Sequence, residues 1–304
     1  MKLVGLMAAR NEQWIIGPSL SAALQFVDEI VVLDHASTDE TPGIVGALSE
    51  AHPGRVQRIE WKGRHYNESA IRQALLEAGR ARGGTHFFLI DADEMLTANL
   101  LESARSEINS LAPGEGLELM WLAMWGSPGC YRDDDSVWSN NTKLFAFADG
   151  PGVEHTALED GYDIHLQAPR GLAKPYRRPM ADQREGGVMH LQFANRRRLI
   201  AKHAWYKMAE LVRFPGRQSV GEVDRVYSQA LNEVGLRTTP VDPSWWSAYG
   251  DARASLRLDD EPWHEREVLR MWQEHGAGAF DGLELWGLPE RLDRANRAPA
   301  GAGT

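Results

Sequence analysis

The chain is short of several things, and each shortage narrows what it can be. Its 304 residues include one cysteine, Cys130, so no intrachain disulfide can form and nothing argues for an oxidising compartment. Long hydrophobic runs are missing. The apolar stretch inside Met1–Arg10 is too short for a signal peptide and reads as a first strand. The longest other run, around Leu117–Trp125, falls far below a membrane span. There is no internal repeat, and no low-complexity segment before the Gly/Ala tail at 298–304. These absences describe a soluble cytoplasmic protein, and 43% hydrophobic and 25% charged residues place it among ordinary globular chains.

Positive charge is also scarce overall, at net −10, but it is unevenly placed. Residues 170–217 carry twelve Lys/Arg against Asp182, Glu185 and Glu210, a net +9 that leaves −19 on the rest. Such a segment is either a solvated helix face or a patch for phosphates of a donor or a polyanionic acceptor.

The most informative residues are Phe87-Phe88-Leu89-Ile90-Asp91-Ala92-Asp93-Glu94. An apolar run the length of one buried strand ends in three carboxylates within four positions. Asp-x-Asp at the carboxyl end of a strand sits where open α/β sheets bind ligands. Acids gathered there need positive charge, and a divalent cation held by a diphosphate supplies it. The structural alternative is that they stop the strand and cap a helix beginning near Thr97.

Around this strand the first hundred residues alternate. Strands are expected at Leu3–Ala9, Ile30–Asp34, Arg55–Trp61 and Thr85–Ile90, and helices at Pro18–Phe26, from Pro42 to Glu50, and at Asn67–Arg82. Ser37-Thr38-Asp39-Glu40 has capping-box spacing. This order means right-handed crossovers and a mostly parallel sheet. Further strands are expected at 117–125, 142–147, 162–167 and 188–193, then helices over 196–213, 220–234 and 261–275.

Three segments in order resemble the large family 2 of inverting, nucleotide-sugar-dependent glycosyltransferases of the GT-A fold. They are Leu3–Glu12 (a first strand followed by Asn-Glu), Val31-Val32-Leu33-Asp34-His35-Ala36-Ser37-Thr38-Asp39-Glu40-Thr41, and Phe88–Glu94. The resemblance is specific to about residue 100 and visible to Phe214. It implies an α/β fold with a mostly parallel, Rossmann-like central sheet flanked by helices and a helical C-terminal extension. The implied domains are 1–215, with a nucleotide-binding half to residue 100 and an acceptor half after it, then 216–297, then a disordered tail at 298–304.

The same resemblance places Ala8, Arg10 and Glu12 beside the base and ribose, Asp34 against the ribose or base, and Arg72 on the base or phosphates. His35 departs from the second Asp of many relatives, and uridine is the default base. Asp91 would contact the ribose or a metal-bound water. Asp93 would bind Mn²⁺ or Mg²⁺ directly, and His190 would complete the metal shell. Read without the resemblance, Arg72 is an exposed helix residue and His190 a structural histidine, with His155, His165 and His203 competing.

The general base is taken as Glu154, in Val153-Glu154-His155 after Lys143-Leu144-Phe145; relatives have the His and Glu in the opposite order. His155, Glu159-Asp160 and Asp133–Asp135 are the other candidates, the last reading as a solvated loop or turn. Trp121, Trp125, Trp138, Trp205, Trp245 and Trp246 either stack on sugar rings or pack the core, with Trp125 and Trp138 flanking the acceptor loop.

The activity implied is metal-dependent, inverting transfer of a hexose from a nucleotide diphosphate sugar, by default a UDP-sugar, to an acceptor hydroxyl on a small molecule or glycan. Pro262-Trp263-His264 followed by Phe280–Leu288 resembles phage and actinobacterial relatives, which adds a hydroxylated base of phage DNA as acceptor. The competing classes are a nucleotidyltransferase, which would need a glycine-rich loop that Ala8–Glu12 lacks, and a non-catalytic module. Oligomeric state is not written in the sequence.

Overall fold

The computed structural model describes residues 1–63, 67–157, 168–180 and 182–297. The strand expected over 162–167, Glu159-Asp160, His165 and the 298–304 tail lie outside them. The chain divides into two compact units, Met1–Leu191 with Arg237–Leu258, and Gln192–Leu236 with Asp259–Thr304. The first unit thus runs to Leu191, and a later segment returns to it.

The first unit contains β1 (Leu3–Ala9), α1 (Ile16–Ala23), β2 (Glu29–Asp34), α2 (Thr41–Ala51), β3 (Val56–Glu60), α3 (Glu68–Ala81) and β4 (His86–Asp91). After these come β5 (Glu94–Leu96), α4 (Leu101–Asn109), β6 (Gly116–Ala123), β7 (Cys130–Arg132), β8 (Thr142–Ala148), β9 (Val188–His190) and β10 (Thr238–Pro240). Eight strands form one sheet in the order β3-β2-β1-β4-β8-β6-β9-β5, and β7 pairs with β10. The pairs β1–β2, β1–β4, β2–β3 and β6–β9 are parallel, whereas β8 and β5 run against their neighbours. The expected mostly parallel sheet flanked by helices is present.

The apolar run of β4 explains its central place. Phe88 and Ile90 pack into a core with Leu20, Val32, Ile108 and Phe145 on one face. Phe87 and Leu89 pack with Leu6, Val31, Leu75 and Phe147 on the other. A strand buried on both sides needs such a continuous run. The Asn67 side chain accepts from the Ala70 amide at 2.9 Å and starts α3 as a cap.

Ser37–Glu40 does not form the expected box. Glu40 is the N-cap of α2 without a side-chain bond, because Ser37 Oγ accepts from Asn11 N at 2.9 Å instead. The short strand β9 lies close against β6, and its preceding Gly187 permits this: a Cβ there would stand 2.4 Å from the Met120 carbonyl oxygen.

The second unit contains α5 (Arg196–Arg213), α6 (Val220–Ser228), α7 (Trp263–His275) and α8 (Leu288–Arg297). Its core joins Ala201, Ala204 and Met208 of α5 to Val268 and Met271 of α7 and to Phe280 and Leu288. Lys207 is fully buried. Its ammonium donates at 2.7 Å to Asp224 Oδ1, Ser228 Oγ and the Glu284 carbonyl oxygen, and lies 4.2 Å from the Trp286 ring centroid. Burial pushes its pKa down, and Asp224 works against that. Lys207→Met is expected to cost about 2 kcal/mol in urea unfolding, because Asp224 and Ser228 lose their donor. No helix among the described residues is long and apolar enough to cross a membrane.

Candidate functional site

Parallel register brings three strand ends into one row. Ala8 is paired with Leu33 and with Asp91, and Ala9 with Asp34. The carboxyl ends of β1, β2 and β4 thus face the same edge, as the strand order of an open α/β sheet requires.

Two turns close over this edge. Asn11 takes φ 55°, a left-handed conformation that Asn tolerates better than most residues. Its Oδ1 accepts from Thr38 N at 2.7 Å, while Glu12 N donates to Thr41 Oγ1 at 2.8 Å and Gln13 N to Asp39 Oδ2 at 3.1 Å. Asp34 is buried, accepting from Arg58 Nη1 at 2.8 Å and Ser37 N at 3.1 Å. His35 is buried beside it, with Nε2 3.1 Å from the Gly63 oxygen. Half-buried Glu12 accepts from Trp14 Nε1 at 2.6 Å, and Ala8 and Arg10 are half-buried on the same strand end. The expected nucleoside residues Ala8, Arg10, Glu12, Asp34 and His35 therefore come from two adjoining strand ends.

The acidic turn after β4 is the second half of the site. Asp91 accepts from Arg72 Nη2 at 2.6 Å and lies 3.9 Å from Lys143 Nζ. Arg72, only 3% exposed, also lies 3.5 Å from Glu68, so it is not the exposed helix residue of the alternative reading. Burial works to raise the Asp91 pKa, but Arg72 and Lys143 outweigh burial and the nearby Asp93, holding the carboxyl below its ordinary range.

Asp93 and His190 meet. Asp93 Oδ2 lies 3.3 Å from His190 Nε2, with both residues buried. The strand pairing explains it: β5 is antiparallel to β9 with Glu94 opposite His190, and Leu191 N donates to the Asp93 carbonyl oxygen at 2.9 Å. The His190 ring stacks on Trp121 with centroids 4.5 Å apart. The Trp138 ring centroid lies 6.1 Å from that of Trp121, which puts one of the two tryptophans expected to flank the acceptor loop beside this pair. The others pack: Trp125 against Arg132, Trp245 against Tyr131, Trp246 against Tyr249 and Trp205 against Trp263.

Glu154 does not join this group. It follows β8, whose last residue Ala148 pairs with His86, the first residue of β4. The carbonyl before it, that of Val153, accepts from Arg80 at 2.7 Å, and the exposed Glu154 pairs its backbone with Arg170. Asp91 stands at the other end of β4 from that pairing, and beyond Glu154 the chain runs back along α3, where His155 N donates to Gln73 Oε1 at 2.8 Å. Asp133–Asp135 is not simply a solvated turn either. Asp134 is buried against Arg132 at 2.6 Å and receives Ser136 N and Ser139 Oγ. Only Asp135 is exposed.

Several side chains of the basic segment are paired. Arg177 meets Glu107 and Glu115, Arg178 meets Glu118, and Arg184 meets Asp182. In the second unit Arg196 meets Glu233, Arg197 meets Glu265 and Arg198 donates to the Asp260 carbonyl oxygen. These pairs offset part of the segment's positive charge, which lowers what it can offer a polyanion without removing it.

Sequence reasoning missed Glu94 and Lys143 as parts of the site, and Trp121 was read only as a stacking or packing residue. Glu94 was visible as a third acid, but nothing in the sequence marks a glutamate as fully buried. No group of three or more His, Cys, Asp or Glu gathers as a metal cage among the described residues. Asp93 and His190 would supply one oxygen and one nitrogen, leaving other positions to a diphosphate and water.

Residues 6–111 match the sequence family described as Glycosyl transferase family 2. No curated protein matches the chain. Solved structures similar to it include S. aureus TarS in complex with UDP-GlcNAc, at 13% identity and TM-score 0.39 over 97% of this chain and 92% of that one. A mannosyltransferase from Pyrobaculum calidifontis in complex with GDP-Man and Mn²⁺ has 15% identity and TM-score 0.40 over 98% and 81%. Glucosyl-3-phosphoglycerate synthase from Mycobacterium tuberculosis has 17% identity and TM-score 0.30 over 40% and 43%.

Proposed function

We propose that this chain, whose residues 6–111 match glycosyl transferase family 2, moves a sugar from a nucleotide diphosphate sugar to an acceptor hydroxyl with inversion and with the help of a divalent cation. The observation that carries the metal part is the buried Asp93–His190 contact at 3.3 Å. Mixed carboxylate and imidazole ligation suits Mn²⁺ better than Mg²⁺. The surrounding charge supports the same reading. Glu68, Asp91, Asp93 and Glu94 stand against Arg72 and Lys143 within this linked group, a formal −2 that a dication balances. A cation bound there would neutralise charge developing on the leaving diphosphate.

The chain's own residues have separable tasks in this reading. The Asn11 and Ser37–Thr41 turns, with Asp34 between them, form the nucleoside end, where Asp34 can accept from a ribose or base. A UDP-sugar is the donor we favour. Arg72 and Lys143 keep Asp91 ionised and fixed beside the diphosphate. β6, with Trp121, lies beyond the acidic turn from the nucleoside strands, which assigns that flank to the transferred sugar and acceptor.

A panel of UDP-, GDP- and dTDP-hexoses with Mn²⁺ tests the proposal. Release of the nucleoside diphosphate from one donor, abolished by EDTA, is expected. Release of pyrophosphate would indicate a nucleotidyltransferase, and turnover indifferent to EDTA would remove the metal from the mechanism. Inversion is read from the anomeric configuration of the product by NMR.

The position of Glu154 gives a further prediction. A general base contributes about 10²–10⁴-fold, but Glu154→Gln is expected to keep kcat within about threefold of wild type, because that exposed carboxylate touches none of Asp91, Asp93 and His190 among the described residues. A hundredfold loss with unchanged stability would restore Glu154 as the base.

A further inference from the structure

Glu94 is a glutamate with no solvent exposure, an expensive arrangement unless every lone pair has a task. Its partners all belong to the site. Oε2 accepts from the Asp91 amide at 2.8 Å and so closes the Asp91-Ala92-Asp93-Glu94 turn on itself. Oε1 accepts from Trp121 Nε1 at 2.8 Å and from Lys143 Nζ at 2.8 Å. The Lys143 ammonium also lies 4.7 Å from the Trp121 ring centroid. Trp121 is the ring on which His190 stacks, and the Glu94 backbone is paired opposite His190 across the β5–β9 ladder.

We propose that Glu94 is the positioning residue of the Asp93–His190 pair. One carboxylate ties the turn that carries Asp93 to the indole that orients His190, and Lys143 is its counter-charge. The inference rests on the metal-site reading above and assigns to this chain's own residues the rigidity that reading needs. Groups that orient metal ligands from behind typically change metal affinity by about 10–100-fold when altered. A glutamate that only neutralised a buried lysine would change stability and leave metal affinity alone.

The test is Mn²⁺ titration followed by the electron paramagnetic resonance of the free ion, with saturating UDP, in wild type, Glu94→Gln and Trp121→Phe. UDP binding in EDTA is measured alongside. Glutamine keeps the size of Glu94 but presents an N–H where an oxygen must accept. Phenylalanine keeps a ring for His190 while removing the N–H to Glu94 along with part of the indole's area. Glu94→Gln is expected to raise the Mn²⁺ dissociation constant by about 10–100-fold, with UDP affinity in EDTA unchanged, and Trp121→Phe to raise it severalfold. An unchanged Mn²⁺ constant in Glu94→Gln, with only a lower melting temperature, overturns the inference and leaves the metal site standing. If Glu94→Gln does not fold, an unchanged constant in Trp121→Phe overturns it equally. Absence of Mn²⁺ uptake by wild type overturns the metal-site reading and this inference with it.

Discussion

Asp93→Asn is expected to lower kcat/KM by at least about 10³-fold, about 4 kcal/mol of transition-state stabilisation, while the protein stays folded. The substitution removes one negative charge and weakens the carboxylate oxygen that faces His190 Nε2. The β5 strand that directly follows Asp93 is held through backbone pairs with β9, which the substitution leaves in place. Mn²⁺-dependent binding of the nucleotide should be lost together with turnover, whereas binding through the nucleoside turns should survive in EDTA. Steady-state kinetics and calorimetry with and without Mn²⁺ check both parts. A variant with wild-type turnover, or one that loses nucleotide binding equally with and without metal, would contradict the assignment.

Arg72→Met is expected to destabilise the first unit by about 3–5 kcal/mol at pH 7, the range for removing one partner of a buried ion pair. Arg72 is the shared partner of Asp91 and the buried Glu68, and methionine keeps the packing volume while leaving both acids to find other charges. The effect has a pH signature. The Asp91 pKa is held down in the folded protein, chiefly by Arg72 and Lys143 acting against burial. A carboxylate depressed on folding contributes stability above its unfolded pKa and loses it as pH falls through the folded value. The gap between wild type and variant should therefore be full at pH 7 and close below about pH 4. Urea unfolding across that range decides the matter. Equal stabilities at neutral pH, or a gap that widens on acidification, would contradict the role given to Arg72.

The first hundred residues were legible because their signals are local. The double-faced burial of β4 is written in Phe87–Ile90, and the start of α3 in Asn67. Lys143, Trp121 and Glu94 were harder, because each acquires its role from a strand distant in sequence. A lysine on β8 and a tryptophan on β6 meet a glutamate on β5 only once the sheet has formed. The same physics misled the reading of Ser37–Glu40, where a tertiary bond from Asn11 displaced a local cap. The 170–217 segment shows it too: the counter-charges of its arginines include Glu107, Glu118, Glu233 and Glu265. Asp93 and His190 could be named from the family resemblance, but only the β5–β9 ladder explains why residues so far apart along the chain touch.

The most direct test of the central claim is the melting temperature with UDP, GDP, CDP and dTDP, each with and without Mn²⁺, in wild type and Asp93→Asn. A ligand at about one hundred times its dissociation constant adds about 2.7 kcal/mol, which such a measurement resolves. The account predicts a rise of several degrees for one nucleotide in wild type, enhanced by Mn²⁺, with the metal-dependent part absent from Asp93→Asn. No rise with any nucleotide, or a Mn²⁺-dependent rise that Asp93→Asn retains in full, would contradict it.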